Sequence, residues 1–400
     1  MTYNAFCAKI DLQRRLIMFS ELTKMLDGFL EMGTPGYDMC IYKDGECVFR
    51  HMNGYSDREN KIPMKGDELY YVYSVTKMIT VTAALQLWEK GLFSLDDPLS
   101  KYVPEYGTMM VKTESGELAE AKNQITVRDL FCMTAGFSYR MKQPAMLRFA
   151  EETEGRCPTR KLAKYLASAT LDFEPGTRWQ YSLCHDLLAS FIEIWCGETF
   201  GEYVRKNIFI PSGMTCSTLL LSADERYKLA PQYMYNYSTK ETDLYEKTNV
   251  YSMWSEYESG GGGCVCTVDD MMRFGEALRT GKLLKPETID LMTTNQISHC
   301  MDSFIVEGYA YGLGVRCSVD GNDGITDFGW GGAAGSGLWV DCKNGITAFY
   351  AQHVLNSPVI KKRNNIIFKI KECMGIAAPS HKSSEQSDTD RAAFAAKYGN

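Results

Sequence analysis

The sequence holds no run approaching eighteen uninterrupted apolar residues, which excludes a membrane-spanning helix. An export leader is also missing. Met1 to Leu30 has no basic segment followed by an apolar core and a small-residue cleavage site, and Asp11, Arg14, Arg15, Glu21, Lys24 and Asp27 interrupt it. Basic charge is in deficit: the net charge is −7 over 400 residues, and the one short basic run is Lys361, Lys362 and Arg363. That balance argues against a nucleic-acid partner. Metal-ligand spacing is lacking too. The five histidines contain no i,i+4 pair, and the fourteen cysteines contain no Cys-x-x-Cys. In a long chain without a leader, such scattered cysteines read as reduced thiols in a cytoplasmic protein. The Gly260–Gly263 run lacks the strand and the Gly-Lys-Ser/Thr context of a phosphate cradle, so no cofactor and no metal are called for. There is no Gly-x-Ser-x-Gly elbow, which sets aside an ordinary α/β-hydrolase, and no internal repeat.

What is present suits a soluble globular enzyme or binding protein, with 45% apolar and 23% charged residues. Phe19, Leu22, Met25, Leu26, Phe29 and Leu30 repeat at helical spacing. Tyr37 to Tyr42 and Cys47 to His51 flank Lys43-Asp-Gly-Glu46, a hairpin signal. From Ile125 to about Met292 most segments look helical, with Thr126 and Thr267 as N-caps. Strand signals return at Gly312–Cys317, Ile325–Phe328, Leu338–Cys342 and Ile346–Gln352, and Pro358 to Met374 reads as a closing helix. Strands at both ends with helices between imply an α/β (α+β) chain. Its antiparallel sheet would be built from about 35–70 and 305–375, with a mainly helical subdomain inserted at about 95–300. Residues 1–17 read as an extension, 18–375 as one catalytic domain and 376–400 as a flexible, polar tail.

The stretch around which this organisation turns is Tyr71-Val-Tyr-Ser-Val-Thr-Lys77. Met78, Ile79, Val81, Ala83, Ala84, Leu85, Leu87 and Trp88 surround the following helix on almost every side, which predicts a buried helix stopping at Gly91. A serine and a lysine three apart in its first turn share a face and lie within side-chain reach. Ser74 is then a candidate nucleophile and Lys77 its proton acceptor. The tetrapeptide by itself fits better a capping serine beside a solvated lysine, and the rest of the chain has to raise the catalytic reading. Tyr181, after the Pro175-Gly176 turn, is either a proton shuttle near a lysine or a half-buried core tyrosine. Gly329-Trp-Gly-Gly-Ala333 lets a backbone N–H approach an oxyanion, or else forms a tight bend. The excursion from Ala230 to Glu258 carries Tyr233, Tyr235, Tyr237, Tyr245, Tyr251, Trp254 and Tyr257. These are either an apolar substrate wall or rings packing an inserted hairpin.

Taken in order, these pieces resemble the serine β-lactamase-like superfamily on its class C branch, which includes class C β-lactamases, D-amino-acid-specific peptidases and family VIII carboxylesterases. Tyr73-Ser-Val-Thr-Lys77 through Pro98 is similar to the family's nucleophile helix and the loop after it. Ile125 to Phe137, Phe173 to Leu188 and Ser259 to Phe274 resemble three further family stretches, so the likeness runs from about residue 18 to 374. The resemblance implies that Ser74 is acylated, that Lys77 activates it, and that Tyr181 relays protons to the leaving group and from water. It also implies an oxyanion hole made by the N–H groups of Ser74 and Ala333.

Two departures set the expected substrate. The β-lactamase branch has an asparagine two residues after the tyrosine, where this chain has Leu183. The branch has Lys-Thr-Gly or His-x-Gly at its third motif, where this chain has Trp330-Gly331-Gly332. The charge that would meet a β-lactam or peptide carboxylate is absent, which points to esters. The sequence therefore predicts a cytoplasmic serine hydrolase of small carboxylic esters, with amide hydrolysis or acyl transfer through the same intermediate as alternatives. A catalytically silent binding member is a further rival. Trp330, Gly331, Gly332, Leu183, Tyr251 and Trp254 are pocket candidates, and the partner is a small-molecule ester or amide. The oligomeric state is not legible.

Overall fold

A computed structural model describes residues 17–222, 225, 229–246, 254–300, 309–319 and 324–377. Residues 1–16, the 376–400 tail beyond Ala377, and Tyr251 lie outside the described residues.

Helix α1 (Ser20–Glu31) packs Leu22, Leu26 and Phe29 inward and leads into the hairpin β1 (Gly36–Lys43) and β2 (Glu46–Asp57). The two-residue turn has Asp44 at φ +51 and Gly45 at φ +87. Both central residues being left-handed is what a type I′ hairpin requires, and Asp-Gly supplies it cheaply. A short β3 (Ile62–Pro63) completes this edge. The other five strands come from the end of the chain: β4 (Tyr309–Tyr311), β5 (Arg316–Val319), β6 (Ile325–Gly331), β7 (Gly337–Asp341) and β8 (Ile346–Ala351). The sheet order is β4-β5-β6-β7-β8-β1-β2-β3, antiparallel at every pairing. The seam between the two ends of the chain is β8 against β1, with Asp38 opposite Ala351 and Lys43 opposite Ile346.

Two cores follow from the alternation of side chains along these strands. Tyr37, Met39, Ile41, Ile346, Ala348 and Tyr350 face α1 and the closing helices. Cys40, Phe349, Ala351, Phe328, Leu338 and Val340 face a larger core around α2 (Thr76–Glu89). Because both faces are covered, β8 is buried at every position, which is why Ile346 to Ala351 is apolar but for Thr347. Helix α2 is buried all round, as the sequence predicts. Its threonines are satisfied within the helix or against a neighbour: Thr82 Oγ1 donates to Met78 O (2.7 Å) and Thr80 Oγ1 to Gly260 O (2.7 Å). Helices α3 (Val127–Cys132), α4 (Cys184–Cys196) and α5 (Val268–Arg279) begin at Thr126, Leu183 and Thr267. Thr126 forms a reciprocal capping box with Asp129.

Two expectations are corrected. Gly312 to Cys317 is not one strand: a turn at Gly312–Val315 separates β4 from β5. Gly314 is at φ +76, and a Cβ on Gly312 would sit 2.0 Å from Met292 O, so both glycines serve the turn. Pro358–Met374 is not one helix but two, α6 (Val359–Lys362) and α7 (Asn365–Cys373), interrupted at Arg363 and Asn364. The aromatic excursion contains the hairpin Tyr233–Asn236 and Glu241–Leu244, docked alongside Val354–Leu355. Among the described residues no helix is long and apolar enough to cross a membrane.

Candidate active site

Ser74 is delivered by a backbone contortion. Tyr70–Tyr71 pairs with Val265–Cys266, and Val72 N–H donates to Cys264 O (3.0 Å). The chain then turns sharply at Tyr73, whose φ of +47 is left-handed for a non-glycine residue. Such a conformation costs on the order of 1–3 kcal/mol and persists only where surroundings hold it. Here the Tyr73 hydroxyl donates to Gln232 Oε1 (2.7 Å). Ser74 lies in a 3-10 turn (Tyr73–Val75) that runs into α2, rather than in the α-helix itself as the sequence predicts. The spacing of three still works across this junction, because Lys77 Nζ donates to Ser74 Oγ at 3.2 Å. Ser74 keeps 9% of its surface exposed and Lys77 none.

Lys77 has a second acceptor, Gly261 O at 2.5 Å, so the Gly260–Gly263 run holds the lysine side chain rather than a phosphate. Its Nζ also stands 4.7 Å from the ring centroid of Tyr181 and 5.3 Å from that of Tyr139. The Tyr181 hydroxyl lies 2.5 Å from Ser74 Oγ. The Tyr181 ring is nearly parallel to Tyr139 (5.2 Å, 5°) and to Trp330 (6.2 Å, 12°). The segment before α4 is anchored by backbone bonds from Gln180 N–H to Met133 O (3.0 Å) and by the Gln180 amide to Phe137 O (2.9 Å). Ser74, Lys77 and Tyr181, far apart in sequence, therefore meet at one point.

Three neighbours escape the sequence reading. Tyr139 stacks on Tyr181. His185 is fully buried with Nε2 3.1 Å from Phe131 O, and burial, then the nearby Lys77, push its pKa down to about 3. It is therefore a neutral imidazole and no general base at ordinary pH. Asp186 is buried and accepts from Tyr257 OH (2.9 Å) and Ser259 Oγ (2.5 Å). Its Oδ2 crowds Gly261, where a Cβ would come within 2.2 Å of it. A His-Asp pair inside the otherwise apolar start of α4 was the available signal.

The third part of the site is the end of β6. Trp330 and Gly331 belong to the strand, and a tight turn follows. A Cβ on Gly332 would stand 2.3 Å from Val72 O, so only glycine lets this backbone lie against the segment leading to Ser74. Ser336 Oγ donates to the same carbonyl (3.1 Å). Ala333 is exposed at the turn. Leu183 is fully buried and offers no surface to a ligand. Trp254 packs edge-on against Tyr257 (5.0 Å) and Phe149 (6.1 Å), among the rings of the helical region.

An antiparallel sheet closed by both chain ends, a buried helix behind it, and a serine facing a lysine and a tyrosine define the architecture of the serine β-lactamases and penicillin-binding proteins. The chain belongs to the Beta-lactamase family, whose sequence profile matches residues 22–367. It is similar to Esterase EstB of Burkholderia gladioli, at 27% identity over 335 residues that cover 77% of this chain and 83% of that one. It is also similar to Lovastatin esterase of Penicillium rubens, at 28% over 317 residues covering 72% and 79%. Among solved structures, EstCE1, a hydrolase with promiscuous acyltransferase activity, superposes with a TM-score of 0.71 at 22% identity, covering 92% of this chain and 99% of that one. This last likeness is one of fold. The serine β-lactamase-fold family includes esterases, acyltransferases and D-amino-acid amidases.

Proposed function

We propose that the chain is a cofactor-free serine hydrolase that cleaves small carboxylic esters through an acyl-enzyme on Ser74. The observation that carries this reading is Ser74 Oγ standing between Tyr181 OH (2.5 Å) and Lys77 Nζ (3.2 Å). Lys77 takes the serine proton as Oγ attacks the ester carbonyl. Tyr181 hands a proton to the departing alkoxide and later receives one from the water that attacks the acyl-enzyme. The N–H groups of Ser74 and Ala333 stabilise the oxyanion, each donor of this kind being worth roughly 10²–10³ in rate. Lys77 makes neither bond to a carboxylate, so proton transfer breaks no ion pair.

Esters are favoured over amides by the surroundings. Trp330 presents a ring, and Gly331 and Gly332 present no side chain, where a cation would meet a substrate carboxylate. Two curated relatives of similar length are esterases. An alcohol can replace water as acyl acceptor, and this second outcome is favoured by an acyltransferase among the relatives and by EstCE1, a hydrolase with promiscuous acyltransferase activity. Comparing turnover of p-nitrophenyl butyrate and nitrocefin tests the preference, and faster nitrocefin turnover reverses it. Intact mass after fluorophosphonate treatment tests the nucleophile: one adduct is expected on the wild type and none on Ser74→Ala. An unmodified wild type at neutral pH would leave a non-catalytic binding protein as the better reading.

A further inference from the structure

The closing helices break at Arg363, and the guanidinium there reaches the turn after β6. Its Nη1 donates to Gly332 O (2.8 Å) and to Ser336 O (2.8 Å), the two carbonyls that bracket the turn. Space for it is made by two missing side chains. A Cβ on Gly331 would fall 1.9 Å from Arg363 Nη2, and one on Gly337 would fall 2.9 Å from Arg363 Cδ. Along β6, Phe328 and Trp330 face the α2 core, so Gly331 faces the opposite side. The guanidinium thus grips the turn from behind the sheet, away from Ser74.

Gly332 O and the Ala333 N–H belong to one peptide unit. That unit is planar and trans, so its C=O and N–H point in opposite directions. Holding the carbonyl from behind aims the N–H forward. The bonds within the turn use the N–H of Gly332 (to Ser336 O, 2.8 Å) and of Gly335 (to Gly332 O, 3.1 Å), leaving the Ala333 N–H outside them. A charge-assisted hydrogen bond on the carbonyl also polarises the amide and strengthens the donor at its other end.

We propose that Arg363 is a positioning residue of the oxyanion hole, fixing and polarising the Gly332–Ala333 peptide from the far side of the sheet. The proposal rests on the reading of Ser74 as an acylated nucleophile. It assigns a catalytic reason to Gly331 and part of one to Gly337, where a Cβ would also meet the Trp339 ring at 2.7 Å. It also accounts for the interruption between α6 and α7, which brings Arg363 over the turn.

The test compares wild type, Arg363→Met and Arg363→Lys on p-nitrophenyl butyrate, with phenylboronic acid as a probe that forms a tetrahedral adduct on the serine. Arg363→Met should lower kcat about 10- to 100-fold with little change in KM, part of the loss expected for a whole oxyanion donor. Its inhibition constant for phenylboronic acid should rise by a similar factor, and Arg363→Lys should recover part of both. Thermal melting and the final yield of fluorophosphonate adduct report the folded fraction. A folded Arg363→Met with wild-type kcat and boronate affinity overturns the clamp, as does a loss of rate that merely follows the folded fraction. A wild type that forms no adduct overturns the hydrolase reading and the clamp with it. A reactive wild type with an unimpaired Arg363→Met removes only the clamp.

Discussion

Among the described residues two lysines are withdrawn from solvent, and their surroundings are opposite. Lys371, on α7, lies between Asp327 Oδ1 (2.7 Å) and Asp341 Oδ2 (3.1 Å), all three side chains being buried. Asp327 also accepts from Ser318 Oγ (2.8 Å), and Asp341 from the Asn344 N–H (2.8 Å) and amide (2.9 Å). Every charge there is answered, and the cluster ties the closing helix to β6 and β7. Lys77 is as deeply buried, but its partners are a hydroxyl, a carbonyl and two aromatic faces. No described carboxylate stands within ion-pair distance of it. The first lysine is an anchor because moving its proton would strand two carboxylates. The second is held by no such pair, which is what the proposed role as proton acceptor requires.

The comparison is most sharply broken by removing each amine in turn. Lys77→Met should reduce kcat on p-nitrophenyl butyrate by about 10³-fold or more, in the upper range for loss of a proton-transfer group. Its urea midpoint should stay level or rise, since a buried amine without a counter-charge is removed. Activity within tenfold of wild type would remove Lys77 from the chemistry. Lys371→Met should do the reverse. Leaving two buried carboxylates unanswered costs about 3–5 kcal/mol of stability, while the kcat of the folded fraction stays at the wild-type value.

A smaller effect is expected from Gly261→Ala. The new methyl would meet Asp186 Oδ2 at 2.2 Å and Tyr139 OH at 2.8 Å and displace the carbonyl that holds Lys77. A loss of about tenfold in kcat is expected, with the displacement of under 1 Å that such a shift implies. An unchanged rate would mean that Gly261 O does not position the amine.

The effect that shows only on acidification concerns His185, whose folded pKa of about 3 lies below the ordinary imidazole value. A depressed histidine contributes stability that is fully present above about pH 6.5 and is lost as pH falls toward 3, at roughly 1 kcal/mol per pH unit. The unfolding free energy of the wild type minus that of His185→Leu should therefore fall on acidification across this window. A flat difference in chemical denaturation would show an ordinary imidazole.

The parts of the molecule that were legible in the sequence are those where a few adjacent residues dictate the backbone. Asp44-Gly45 specifies a hairpin, Thr126 a helix start, and the apolar run from Met78 to Trp88 a helix buried on all sides. Ser74, Lys77 and Tyr181 were readable because each carries a local motif in family order. What was hidden depends on contacts between distant segments. Nothing near Gly312 announces that Met292 O leaves no room for a strand there. Nothing near Arg363 announces the turn at Gly332. Trp254 and Leu183 are apolar at plausible positions, and only packing shows that the first joins Tyr257 and Phe149 and the second is sealed in the core. His185 and Asp186 were visible as letters, but their partners come from residues 131 and 257–259.

The seam between β8 and β1 has a temporal meaning. Ser74 and Lys77 are synthesised early, Tyr181 midway, and the Gly332–Ala333 peptide, its guanidinium and the strand that meets β1 come last. If Ser74 is the proposed nucleophile, a growing chain on the ribosome carries that alcohol for most of its synthesis without the dipole that would make attack on a carbonyl worthwhile. On the proposed reading, closing the sheet is what would arm the serine, and hydrolytic power would arrive only with the finished fold.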